Sequence, residues 1–162
     1  MTEPVLAFDV LGEPVPQGSK VRSGPGLRDA NAKSLTPWRF QVGAAAEAAI
    51  AELSTAEGYT PTELPLLLGP VLVRLVFTVR RPKGHFGTGR NARRLKPTAP
   101  WYAASRPDLD KLARAVLDAL TGIAWRDDGQ VSVLIASKVY GPRPALHVAI
   151  TSLPHAEEAA QQ

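Results

Sequence analysis

Apolar residues recur along this chain at two spacings. Alternating positions or short unbroken β-branched runs mark strands at residues 5–10, 71–79, 131–140 and 146–153. The last two flank the turn "GPRP", which predicts a hairpin. Helical spacing is clearest in "PDLDKLARAVLDALTG", where Leu109, Leu112, Ala113, Val116, Leu117 and Leu120 form one stripe over residues 110–121. The opposite face carries Asp110, Lys111, Arg114 and Asp118, and Gly122 supplies the stop. A second helix is predicted from Thr36, with Pro37 at its first position, to near Gly58, with Phe40, Ala44, Ala48 and Ala51 as its apolar face. The stretch "GEPVPQGSKVRSGPG" reads as a loop, and residues 154–162 as a frayed tail or short helix. These elements predict a single α/β (α+β) domain over residues 1–153, a small mixed β-sheet packed with two main helices.

Length and composition agree with that class: 162 residues, 44% hydrophobic and 21% charged. The absence of cysteine excludes a disulfide framework and thiolate metal sites. No leader or spanning segment is expected, because the most apolar stretch is interrupted by Pro65, Pro70 and Arg74, and a reducing cytoplasm fits best.

Charge changes the picture more. No acidic residue lies between Glu63 and Asp108, while Arg74, Arg80, Arg81, Lys83, Arg90, Arg93, Arg94, Lys96 and Arg106 supply nine of the nineteen basic side chains. The segment at about 80–105 mixes these with Phe86, Trp101 and Tyr102, which can stack on unpaired bases. Its Gly and Pro content predicts a mobile loop that orders on its ligand. Lys20 and Arg22 add positive charge in the N-terminal loop. A phosphate-bearing polymer is the partner such a surface suits, although basic clusters also meet anionic lipids and acidic proteins.

Directly after this segment, five of the fifteen carboxylates fall within residues 108–128. One of Asp108 and Asp110 is explained as a helix N-cap, but a helix start needs one capping side chain, not two. Asp118 reads as an i,i+4 partner of Arg114. "RDDGQ" forms a good turn, which alone accounts for Asp127 and Asp128. If the two acidic pairs converge, they cannot all stay ionised without a cation, and oxygen-only ligands point to Mg²⁺ or Mn²⁺. His85, His147 and His155 are isolated and lack zinc spacing.

The run "RPDLDKLARAVLDALTGIAWRDDGQV", with the following "SKVYG", resembles the RusA family of Holliday junction resolvases. The family pattern is Pro-Asp-x-Asp-Asn, a helix ending Asp-Ala-Leu, then Asp-Asp-x-Gln and a downstream lysine. The close resemblance covers residues 106–141, and the N-terminal "PxPQGSK" loop is compatible with it. It implies a small homodimer that cuts four-way DNA junctions symmetrically with Mg²⁺ or Mn²⁺, in DNA recombination and repair, and that phages and prophages often encode. Carried over by position, Asp108, Asp110 and Asp128 become the metal ligands, with Asp127 an auxiliary or structural neighbour. Lys138 becomes a catalytic lysine that holds a phosphate or the transition state, its alternative being a strand-end surface lysine. Lys111 and Arg114 stand where the family has Asn and Lys; arginine keeps the charge but cannot donate a proton. The implied reaction is in-line attack of water on phosphorus, with the 3′ oxygen leaving.

Two other classes of reading remain open to the residues. One is a non-catalytic branched-DNA-binding module; the other is a Mg²⁺-dependent enzyme acting on a small phosphorylated substrate. The latter needs a glycine-rich loop opening a helix, and "GTGR" at 87–90 precedes no helical pattern. No small-molecule cofactor is expected. Within the nuclease reading, forks and flaps are alternatives to the four-way junction.

Overall fold

The structure is a computed structural model that describes residues 5–23, 26–57 and 67–154. The helix end at Gly58, His155 and almost all of the expected tail lie outside the described residues. The elements run β1 (Leu6–Leu11), β2 (Lys20–Ser23), β3 (Gly26–Asp29), α1 (Ala32–Glu57), β4 (Val71–Arg80), α2 (Leu109–Leu120), β5 (Val131–Gly141) and β6 (Ala145–Ser152). The expected α+β class is borne out by a four-stranded mixed sheet and two α-helices among the described residues.

Alternation decides which sheet face is covered. Leu6, Phe8 and Val10 of β1, Val71, Val73, Leu75 and Phe77 of β4, and Leu146, Val148 and Ile150 of β6 form one buried face. Both helices close over it. Trp38, Val42, Ala46 and Ile50 come from α1, and Leu112, Ala113, Val116 and Leu120 from α2. The opposite face carries Asp9, Arg74 and His147 in solvent, with His147 Nδ1 2.8 Å from Asp9 Oδ1.

Sheet order is β1-β6-β4-β5. The hairpin expected across "GPRP" is not formed: β4 lies between β5 and β6, parallel to the first and antiparallel to the second. β4 has the longest run of fully buried side chains, so the core places it centrally, and "GPRP" carries the chain past its end. β5 is left at the edge.

Three further expectations are corrected. The N-terminal loop contains the β2–β3 hairpin, which its Gly and Pro density conceals. Helix α1 begins at Ala32, with the N–H groups of Ser34 and Leu35 on the Asn31 carbonyl, so Pro37 sits inside the helix, not at its first position. Its predicted apolar face is the solvent face: Phe40 is 76% exposed, and Ala44, Ala48 and Ala51 are also exposed. Alanine occurs all around this helix, so its spacing selects no face; the bulky Leu35, Trp38, Val42 and Ile50 do.

Candidate active site

Asp108 occupies the N-cap position of α2 but makes no capping side-chain hydrogen bond. Its carboxylate lies 3.4 Å from the Lys111 ammonium, an exposed pair that contributes little to stability. Asp110, in the first helical turn, is exposed and makes no side-chain hydrogen bond or ion pair among the described residues. The capping explanation therefore absorbs neither carboxylate. Both stand at the positive end of the helix macrodipole.

A cavity of about 450 Å³ opens beside them, lined by Arg106, Pro107, Asp108 and Lys111 on one side and by residues 16–19 with Asn31 on the other. The second wall is the "PQGSK" loop, whose specific role sequence reasoning missed. Gln17 N–H donates to the Lys111 carbonyl at 2.9 Å, and Asn31 Nδ2 donates to the Pro16 carbonyl at 2.8 Å. A Cβ on Gly18 would stand 2.1 Å from Asn31 Oδ1 and 3.1 Å from the Asn31 backbone nitrogen, so only glycine allows this approach. Asp118 does not pair with Arg114 as expected. Its partner is Arg39 of α1, which also donates to Gln17 Oε1 at 2.8 Å and ties α1, the loop and α2 together.

Lys138 is not a surface lysine. Only 9% exposed and facing the helices beside Phe77, it donates to the carbonyls of Ser105 and Pro107. Ser105 Oγ in turn meets the Tyr140 hydroxyl at 2.9 Å. Lys138 thus fixes the segment that presents Asp108, a positioning role built from buried charge-assisted hydrogen bonds. Arg114 is exposed on α2.

Asp127 and Asp128 lie elsewhere and have different environments. Asp127 caps a short 3-10 turn at Asp128–Gln130: its Oδ1 accepts from Gly129 N–H at 2.8 Å, while Gln130 Oε1 accepts from Asp127 N–H at 3.2 Å. Gln130 also accepts from Arg126 N–H at 2.8 Å, and its Nε2 donates to the carbonyls of Leu67 at 3.1 Å and Gly69 at 2.9 Å. One amide therefore staples the start of β5 to the approach to β4. Asp128 is left exposed and unpaired among the described residues. Gln130→Ala strips partners from all four backbone groups, and a loss of about 1–3 kcal/mol in urea unfolding is expected. A change below about 0.5 kcal/mol, ordinary for a surface position, would count against the staple.

The two acidic pairs do not converge within one chain. Helix α2 has twelve residues and runs antiparallel to β5, so its two ends are about 18 Å apart. Asp108 and Asp110 are at the Lys138 end; Asp128 precedes Val131 at the other, with about 23 Å of strand between Val131 and Lys138. Among the described residues, no group of three or more Asp, Glu, His or Cys can hold a metal ion. Asp108 and Asp110 are the hard oxygen donors at this end that would hold Mg²⁺, which needs only one or two carboxylates beside water and substrate phosphate.

The basic segment has more internal structure than its Gly and Pro content predicts. It contains 3-10 turns at Lys83–His85 and Gly89–Asn91 and folds back through an antiparallel bridge between Phe86 and Leu95. Arg80, Lys83, Arg90, Arg93, Arg94 and Lys96 are exposed on it, with Lys96 Nζ donating to the Gly84 carbonyl at 2.8 Å. Phe86 and Trp101 line a second cavity together with Arg81 and Arg93; the exposed Tyr102 does not. Lys20 and Arg22 lie apart on β2, Lys20 paired with Asp29 at 3.1 Å. Sequence reasoning also missed Tyr140, at whose ring Arg81 and His85 meet.

Comparison with known proteins bears on this arrangement. Over 150 residues the chain is 27% identical to the "Uncharacterized protein YqaN" of Bacillus subtilis (strain 168), covering 90% of this chain and 94% of that protein. The family described as "Endodeoxyribonuclease RusA" matches residues 23–151, a span that contains α2 with Asp108 and Asp110, the Asp127-Asp128 turn and Lys138. On that match, which takes in most of the sequence and every element from α1 to β6, the chain belongs to the RusA endodeoxyribonuclease family.

Proposed function

We propose that this protein is a homodimeric, Mg²⁺-dependent endonuclease that resolves four-way DNA junctions by paired symmetric cuts, acting in the cytoplasm. The observation that carries the reading is the pair of exposed carboxylates, Asp108 and Asp110, set at a helix start beside Arg106 and Lys111 and backed by a basic lobe. The cations neutralise backbone phosphates, and the carboxylates hold a divalent ion, for which Mn²⁺ can substitute. Bound there, such an ion supplies charge neutralisation of the phosphodiester and a lowered pKa for water.

The sheet edge and the exposed Asp128 support the dimer together. β5 reads "VSVLIAS" over 131–137, apolar at five of seven positions as a central strand is, yet it lies at the edge with Val133, Leu134 and Ile135 about 40% exposed. In the sheet, Leu134 aligns with the buried Val73 and so faces the helices, while its neighbours face the other way. Apolar groups therefore emerge on both faces of the strand. No charge or proline blunts this edge, a pattern that favours pairing. Residues 101–103 cover it only beyond Lys138, through the hydrogen bonds of Ala103 N–H to the Lys138 carbonyl and Tyr140 N–H to the Trp101 carbonyl. A second copy laid antiparallel along the free part, about a two-fold axis near Leu134, brings its own Asp128 toward the Lys138 end. There Asp108 and Asp110 gain a third carboxylate, and two-fold symmetry gives two such sites for two cuts.

The test is cleavage of a labelled four-way junction beside linear duplex, in Mg²⁺ or EDTA. Paired nicks confined to the junction and lost in EDTA are expected; binding without cleavage in either metal makes the protein a DNA-binding module, and preferential cutting of forks or flaps moves the substrate. Leu134→Glu should convert the dimer to a folded monomer in analytical ultracentrifugation and abolish cleavage. A Leu134→Glu protein that remains dimeric places the interface elsewhere.

A further inference from the structure

The cavity under the basic lobe is separate from the pocket at Asp108. It encloses about 530 Å³, within the range of roughly 300–1,000 Å³ usual for small-ligand sites. Phe86, Trp101 and Tyr140 supply aromatic surface, Leu95 adds an apolar wall, and Arg81 and Arg93 bring positive charge. Its walls are fixed from within. Arg81 Nη1 donates to the Pro100 carbonyl at 2.7 Å while its guanidinium lies 5.1 Å from the Tyr140 ring centroid, and His85 meets that ring edge-on at 5.0 Å. The lobe closes the other side through Lys96 N–H to the His85 carbonyl and Gly87 N–H to the Arg94 carbonyl, both at 2.9 Å.

Trp101 is 66% exposed, whereas Trp38 and Trp125 are buried. A large indole left in water at the wall of a preformed cavity, with arginines around it, suits a planar apolar ligand attached to anions. We propose that this cavity receives one unpaired DNA base at the branch point, stacked on Trp101, with Arg93 and its neighbours Arg90 and Arg94 on the adjoining phosphates. A base in intact duplex is stacked between its neighbours and cannot enter, so the cavity selects for branch points and bulges, where stacking is interrupted and a base leaves the helix at lower cost. It also connects to the carboxylates: Tyr140 hydrogen-bonds Ser105, and Lys138 holds the Ser105 and Pro107 carbonyls next to Asp108. A seated base thereby sets the register of the strand that reaches the cutting site.

This inference rests on the branched-DNA reading, and its test separates the two. In EDTA, a four-way junction and a duplex with one bulged base should quench the Trp101 emission, and fully paired duplex should not. Trp101→Ala should weaken binding to junction and bulge about tenfold in mobility shifts, leave paired duplex within about twofold, and be largely rescued by Trp101→Phe. Equal quenching by paired duplex, or an equal loss on all three DNAs, overturns the base pocket. Junctions bound and cut by Trp101→Ala as by wild type overturn it while sparing the nuclease; a protein that binds no junction removes both.

Discussion

Asp110→Asn is expected to lower Mg²⁺-dependent junction cleavage by more than about 100-fold while leaving junction binding intact, since loss of even an outer-shell partner of a metal ligand costs about 10–100-fold. The side chain is exposed and has no partner among the described residues, so the substitution removes a donor without disturbing the fold. Asp128→Asn should behave alike. Asp127→Asn should not, because its work is to accept the Gly129 N–H, which an asparagine oxygen does equally well. Cleavage assays on the three variants, with binding measured in parallel, therefore divide the adjacent aspartates by role. Comparable losses in Asp127→Asn and Asp128→Asn would give the Asp127 carboxylate, and not only its place in the turn, a part in the reaction.

Mixing two dead proteins should restore cutting. Asp110→Asn and Asp128→Asn are each expected to be inactive as homodimers. In a mixed dimer one site contains both substitutions, whereas the other pairs an intact Asp108 and Asp110 with an intact Asp128 from the second subunit. With random exchange, half of the dimers are mixed and each has one good site of two, so about one quarter of wild-type sites return. Those sites act singly. The product should accordingly be a nicked junction with few paired cuts, measured by denaturing electrophoresis after denaturing and refolding the mixture. No recovery, with exchange verified by mass, would place the whole site within one chain or dispense with Asp128.

Helix α2 was legible to within one residue at each end because its amphipathic stripe, stop glycine and acidic start all lie within one local segment. What escaped was non-local. The partner of β5 is decided by which strand fills the centre of the sheet, and that depends on β4, more than fifty residues upstream. Helix α1 was found but begins four residues earlier than Thr36, and it was turned the wrong way, because its alanines mark no direction. The acidic pairs matched the family in order and spacing, yet spacing along a helix says how far apart its ends are, not that they meet. Arg39, Gln17 and Asn31 carried no signal of their own; they matter through contacts that only the packed loop creates. The lysine of "SKVYG" drew notice, while its burial depended on strand register.

The place of β6 in the sheet has a consequence for how the molecule comes into being. Among the described residues β1 is the first strand and pairs with β6 alone, and β6 also flanks β4. During synthesis the N-terminal strand must therefore wait, unpaired, until the C-terminal one emerges, a long loop to close before any sheet hydrogen bond rewards it. Folding is correspondingly late and concerted. A ribosome-bound or prematurely ended chain lacks the sheet that aligns Lys138 with the start of α2, so a nascent chain is harmless to the DNA around it and competence arrives with the final strand.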